Sequence, residues 1–94
     1  MDPTSDRIAK RIQLRGRVQG VYFRAAAQRE AEMHGLTGWA HNDPDGSVTI
    51  VVEGDSHAID DFVDWCNHGP PDARVARVEI SEETCSGQVG FHIR

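Results

Sequence analysis

GRVQGVYFR, Gly16 to Arg24, is the stretch where an alternating strand pattern breaks on two glycines and runs directly into a helical one. Upstream, residues 8 to 18 put Ile8, Ile12, Leu14 and Val18 on one parity and Arg11, Gln13, Arg15 and Arg17 on the other, as a half-buried strand requires. From Phe23 the period changes. Phe23, Ala27 and Ala31 recur four apart, with Ala26 beside them on the inward stripe of a helix. The intervening Val18-Gln19-Gly20-Val21-Tyr22 is a turn, and no Ser, Thr, Asp or Asn stands at the helix start to cap its first N–H groups. An uncapped helix N-terminus with Arg24 in its first turn suits an anion. Taken alone, the stretch is equally compatible with a turn whose amides face water and whose Arg24 lies along the surface. It is not a Walker loop, because no Gly-Lys-Ser/Thr follows the second glycine, and it lacks the third glycine of a dinucleotide fingerprint.

Outward from this stretch, the other elements follow in order. Residues 1–7 read as a flexible tail and 8–94 as one domain, since a chain of 94 residues supports a single two-layer core. The first helix should run from about Phe23 to His34, with Gly35 as a left-handed cap. Leu36 to Asn42 reads as a second strand, Asp43-Pro44-Asp45-Gly46 as a turn, and Val48 to Glu53 as a third strand with Val48, Ile50 and Val52 inward and Thr49 and Glu53 outward. Gly54-Asp55-Ser56 offers a cap for a helix carrying Ile59, Phe62, Val63 and Cys66 at i, i+3, i+4 and i+7, which Gly69-Pro70-Pro71 stops. Ala73 to Ile80 reads as a fourth strand, Ser81 to Gln88 as a polar loop, and Val89, Phe91 and Ile93 as a short terminal strand. Strand, helix, strand, strand, helix, strand is the order of an α+β, ferredoxin-like split βαβ (βαββαβ) two-layer sandwich. An antiparallel sheet then carries two helices on one face, a short extra C-terminal strand, and an open opposite face.

This topology brings Arg24 and Asn42 together. The first and second strands run parallel with the third between them, so the 16–22 loop and the end of the second strand share one sheet edge, two spacings or roughly 10 Å apart. If Ala40 faces the helices, Asn42 leans toward the loop and His41 away from it. By itself, Asn42 before Asp43-Pro44 would more often be a turn residue bonding its own backbone.

Composition narrows the function. The net charge is -5, which argues against a nucleic-acid partner, while Arg11, Arg15, Arg17 and Arg24 concentrate positive charge around the loop, where a small anion would be attracted. No apolar run approaches a transmembrane length, and MDPTSDR has neither the basic start nor the apolar segment of a signal peptide, so a cytoplasmic protein with no membrane partner is expected. Cys66 and Cys85 are expected to be unpaired and structural. The five histidines pair with no Ser or Cys as a nucleophile, and Asp60, Asp61 and Asp64 read as a solvated helix face, so no metal and no cofactor is expected. Trp39 and Trp65 read as packing residues.

The string G-x-V-Q-G-V-x-F-R, here Gly16, Val18, Gln19, Gly20, Val21, Phe23 and Arg24, resembles the phosphate loop of acylphosphatases. GLTGWAHNDPDGSV, Gly35 to Val48, and GPPDARV, Gly69 to Val75, are similar to the same family's second and third motifs. The resemblance implies a small stand-alone hydrolase that splits the carboxyl-phosphate bond of acyl phosphates, with inorganic phosphate as product and inhibitor. It implies Arg24 and Asn42 as catalytic residues and the backbone amides of Gln19, Gly20, Val21, Tyr22 and Phe23 as the phosphate cradle. Neither a metal nor a covalent intermediate is implied, and a monomer is the default expectation. Ala40, His41 and Asp43 depart from the family pattern. Asp43 would oppose phosphate binding unless its carboxylate points into the turn. The alternative is a non-catalytic anion-binding or regulatory module on the same fold. An RNA reader of related topology would need aromatic residues on the middle strands, and SVTIVVEG has none.

Overall fold

A computed structural model describes residues 7–94. The tail expected over residues 1–7 lies outside the described residues except for Arg7, which already belongs to a strand. The elements are β1 (Arg7–Arg17), α1 (Phe23–Met33), β2 (Thr37–Asn42), β3 (Val48–Asp55), α2 (Ser56–Cys66), β4 (Arg74–Glu83) and β5 (Phe91–Ile93), and the sheet order is β4-β1-β3-β2-β5. The first four strands form the antiparallel ferredoxin-like core. β5 adds beside β2 in parallel, pairing Gly38 with Phe91 and Ala40 with Ile93.

One apolar face carries the packing. Ile12, Leu14, Ala40, Val48, Ile50 and Val52 from the sheet meet Phe23, Ala27 and Ala31 of α1 and Ile59, Phe62 and Cys66 of α2, all buried. Ala26 is only half-buried, at the stripe's margin. Trp65 packs against the rings of Phe23 and Phe62, with centroids 5.4 and 5.9 Å away. α2 is capped by Asp55, whose Oδ2 accepts from the N–H groups of His57 and Ala58 at 3.0 and 3.1 Å. Burial pushes the Cys66 thiol up, with Glu30 adding to the effect, so it stays a neutral core filler; Cys85 is exposed, and both are unpaired.

Departures from the sequence pattern gather at the end of β4 and on the sheet face that the following connection crosses. β4 extends three residues past Ile80, because Ser81, Glu82 and Glu83 pair with Arg11, Lys10 and Ala9, and Glu82 and Glu83 form cross-strand ion pairs with Lys10 and Arg11. The chain must then cross from one sheet edge to the other to begin β5. It does so over the face expected to be open, and Glu53 lies beneath it with no exposed surface. The Glu53 carboxylate accepts from the N–H groups of Ser86, Gly87 and Gln88 at 2.7, 3.1 and 3.3 Å and from the Ser86 hydroxyl at 2.9 Å. Burial pushes this carboxyl up, but the donors from Ser86, Gln88 and Gly87 outweigh it and hold it below the ordinary value. Val89 consequently sits in the crossing, exposed, rather than in a strand. Trp39, on the same face, lies under the guanidinium groups of Arg94 and Arg11, 4.4 and 5.8 Å from its ring, rather than in an apolar core.

Candidate active site

Gly16 begins the site by interrupting the regular pairing of β1 with β4. The β1–β4 register shifts between Arg15 and Gly16, and a Cβ at Gly16, where φ is 125°, would run into the Arg74 carbonyl oxygen. Val18 and Val21 then anchor the loop in the core. Gly20 and Tyr22, at φ 74° and 63°, turn the backbone back toward α1, whose N-cap residue Tyr22 makes no side-chain capping bond. Among the described residues, no acceptor takes a hydrogen bond from the main-chain N–H groups of Gln19 to Tyr22. Such a run of N–H groups at a helix start is a ready anion cradle.

A cleft of about 360 Å³ opens here, lined by Val18, Gly20, Tyr22, Phe23, Arg24, Ala25, Asn42 and Ile93. Arg24 and Asn42, 18 positions apart in sequence, thus reach one cavity. Arg24 Nη1 donates to the main-chain oxygen of Arg94 at 2.7 Å, which braces the guanidinium against the end of β5 and leaves its other donors available to the cleft. β2 sorts its side chains as the alternation requires. Ala40 is buried against the helices, Asn42 shares its face, and His41 turns to the opposite face, where its Nδ1 lies 3.1 Å from Asp43 Oδ1.

The turn after Asn42 holds itself without Asn42. Asp43 Oδ2 accepts from the Thr49 hydroxyl at 2.6 Å, Asp45 Oδ1 accepts from the Ser47 N–H at 3.0 Å, and the one Ser47 hydroxyl proton is shared between Asp45 Oδ1 at 2.6 Å and Asp43 Oδ2 at 2.9 Å. Among the described residues, no hydrogen bond occupies the Asn42 side-chain amide, so it is not a turn-stabilising group. Asp43 points into the turn and away from the cleft. Burial pushes its carboxyl up, but hydrogen bonds from Thr49, His41 and Ser47 outweigh that and keep it ionised. Its charge is therefore spent on these donors rather than on repelling an anion in the cleft.

Gln19 was expected only as an amide donor, yet its side chain does more. Its Nε2 donates to the carbonyls of Asp43 and Ser47 at 2.7 and 2.9 Å, tying the 16–22 loop to the turn that carries Asn42. Ile93 and Arg94 were also not foreseen at the site. The alternation of Phe91 and Ile93 signals a strand but not its neighbour.

The turn gives a pH prediction. Hydrogen bonds from the Ser47 hydroxyl and N–H, and then Arg15 at 3.0 Å, hold the Asp45 carboxyl down from its ordinary 3.8 to about 2. A carboxyl lowered on folding stabilises the native state above the unfolded value, so this contribution is complete above about pH 4 and fades as the pH falls toward 2. The Asp45 carboxyl carbon shift is expected to titrate with a midpoint near 2, and Ser47→Ala should move it back toward 3.8.

The family model described as acylphosphatase matches residues 10–93. An acylphosphatase of Rubrobacter xylanophilus is 49% identical over 85 residues, covering 89% of this chain and 77% of that protein. The solved acylphosphatase of Coxiella burnetii superposes with a TM-score of 0.94 at 31% identity, covering 100% of this chain and 99% of that one. That of Bacillus subtilis gives 0.90 at 38% identity, covering 93% and 98%. With a family model spanning nearly the whole domain and relatives of this similarity over most of their length, the chain belongs to the acylphosphatase family.

Proposed function

We propose that the protein hydrolyses acyl phosphates to a carboxylate and inorganic phosphate, without a metal or a covalent intermediate. The observation that carries this is that Arg24, Asn42 and the loop and helix-start residues Gly20, Tyr22 and Phe23 line one cleft whose lining includes no carboxylate, imidazole or thiol. A cleft lined without carboxylates offers a magnesium ion none of its usual anionic ligands, and the Tyr22 hydroxyl, the one hydroxyl in the lining, has no neighbouring base there to activate it as a nucleophile.

The chemistry fits such a sparse site. The carboxylate of an acyl phosphate is a good leaving group, so positioning and charge neutralisation are the main requirements. Arg24 takes two phosphoryl oxygens in a planar fork, and the N–H groups of Gln19 to Phe23 cradle the rest. Asn42 orients a water for attack on phosphorus. The new P–O bond forms as the bond from phosphorus to the bridging oxygen breaks, the electron pair leaves on the carboxylate, and the water's proton passes to a phosphoryl oxygen. No side chain is needed as base.

Benzoyl phosphate is the test substrate. Hydrolysis is expected to persist in EDTA, and in ¹⁸O-labelled water the label should enter phosphate and not benzoate. Loss in EDTA with recovery on adding magnesium would refute the metal-free mechanism. Absence of hydrolysis under both conditions would favour a non-catalytic anion-binding module.

A further inference from the structure

Tyr22 is the one described residue other than glycine with a positive φ, at 63°. A bulky side chain in the left-handed region strains the backbone, and glycine would adopt the same conformation without that penalty, as Gly20 does at φ 74°. Burial would ordinarily offset such strain. At Tyr22 it cannot, because the residue is 83% exposed and, among the described residues, its hydroxyl has no hydrogen-bond partner. The tyrosine contributes nothing visible to the fold, and it stands on the wall of the cleft. Strain held by an otherwise idle side chain at a site points to a ligand.

The rest of that wall has the same character. Ala25 in the first turn of α1 and Ile93 of β5, itself 43% exposed, line the cleft with Tyr22. The cleft therefore has a polar part, formed by Arg24, Asn42 and the loop amides, and an apolar part. An acyl phosphate has the same asymmetry, and only the bridging oxygen and the carboxyl carbon separate its phosphoryl group from its acyl substituent. Given the hydrolysis proposed above, we infer that Tyr22, Ala25 and Ile93 seat the acyl substituent, and that the protein acts on acyl phosphates of apolar acids, aromatic ones foremost. An aromatic acyl group can stack on the Tyr22 ring. A second carboxylate on the substrate would instead lie against apolar side chains, because Arg24 is the one cation in the lining and is engaged with phosphate.

Steady-state kcat/KM for benzoyl, acetyl and succinyl phosphate, each divided by its uncatalysed hydrolysis rate, reads this seat directly. The wild type should favour benzoyl over acetyl phosphate by about tenfold or more and disfavour succinyl phosphate, the range one apolar contact region supplies. Tyr22→Asn keeps a residue that tolerates the left-handed backbone and should cut the benzoyl-to-acetyl ratio about tenfold, whereas Tyr22→Phe should preserve it. Ile93→Ser should lower the ratio too, without weakening competitive inhibition by inorganic phosphate, which has no acyl group. An unchanged ratio in both Tyr22→Asn and Ile93→Ser, with hydrolysis retained, would overturn the seat. If the wild type hydrolyses none of the three compounds, the hydrolase function itself fails, and the seat with it.

Discussion

Arg24→Ala is expected to lower kcat/KM for benzoyl phosphate by about 10³ to 10⁵, the range seen when an arginine that neutralises a transferring phosphoryl group is lost. That corresponds to about 4 to 7 kcal/mol of transition-state stabilisation at 1.36 kcal/mol per tenfold. The loss should be divided between binding and turnover, because the phosphoryl oxygens carry charge in the ground state and redistribute it as the bond to the leaving group breaks. Phosphate titration followed by amide chemical shifts should show the binding part. In the wild type the changes should cluster at Gln19 to Arg24 and near Asn42, and in Arg24→Ala they should need far higher phosphate. Arg24→Lys should not restore turnover. The three N–H groups of an ammonium radiate from one nitrogen and cannot reproduce the planar fork that spans two phosphoryl oxygens while another guanidinium nitrogen donates to the Arg94 oxygen at 2.7 Å. Recovery to within about tenfold in Arg24→Lys would show that charge alone suffices and that the planar fork is irrelevant. Folding is not at issue, since Arg24 is a surface-facing residue of the first helical turn and takes no part in the buried core.

The local half of this site was legible in the sequence because periodicities decided it. The change from period two to period four at Phe23 placed Arg24 in a first helical turn, and period two along Thr37 to Asn42 put Ala40 and Asn42 on one face and His41 on the other. The strand order followed from element order alone, which set β3 between β1 and β2 and left the 16–22 loop and Asn42 at one end of the sheet. What the pattern concealed was any residue whose role depends on a distant, non-periodic partner. Gln19 falls in a turn, and nothing local announces that its side chain reaches two carbonyls more than 20 residues away. Glu53 has the correct parity for a solvent face. Its burial comes from a loop more than 30 residues later that supplies four donors to one carboxylate. Ser81 to Glu83 read as loop because they are polar, yet an edge strand tolerates polar residues when cross-strand ion pairs replace apolar contacts.

Those concealed contacts also bear on how the site keeps its shape. The 16–22 loop and the Asn42 turn are separate in sequence, but Gln19 joins them, and the Arg94 oxygen joins Arg24 to β5. β5 in turn is held by its pairing with β2, and the crossing that leads to it is held down on Glu53. The two proposed catalytic side chains are thus set by three elements that meet at one sheet edge, on strands and a helix rather than on loops alone. Such backing narrows positional error, which matters when misplacing a reacting group by about 1 Å can cost a hundredfold.

Asn42→Ala is the sharper test, because it separates orientation of water from binding of phosphate. If Asn42 holds the attacking water, its contribution appears mainly as the new P–O bond forms, so kcat should fall by about 10² to 10³ while phosphate affinity changes little. That is about 2.7 to 4 kcal/mol, the effect of removing one preorganised polar group. A structural explanation for such a loss would need Asn42 to stabilise its own turn. The turn's hydrogen bonds instead come from Asp43, Asp45, Ser47 and Thr49, and no partner occupies the Asn42 amide among the described residues, so Asn42→Ala should keep the wild-type Tm within a degree or two. His41→Ala supplies the control from the opposite face of β2. His41 touches Asp43 at 3.1 Å but does not line the cleft, so its loss should change kcat less than about threefold even if the turn loosens slightly. The reverse result, full turnover in folded Asn42→Ala and a large loss in His41→Ala, would mean that water is activated from the other sheet face. The imidazole paired with Asp43 would then be the catalytic group, and the base-free mechanism would have to be abandoned along with the assignment of Asn42.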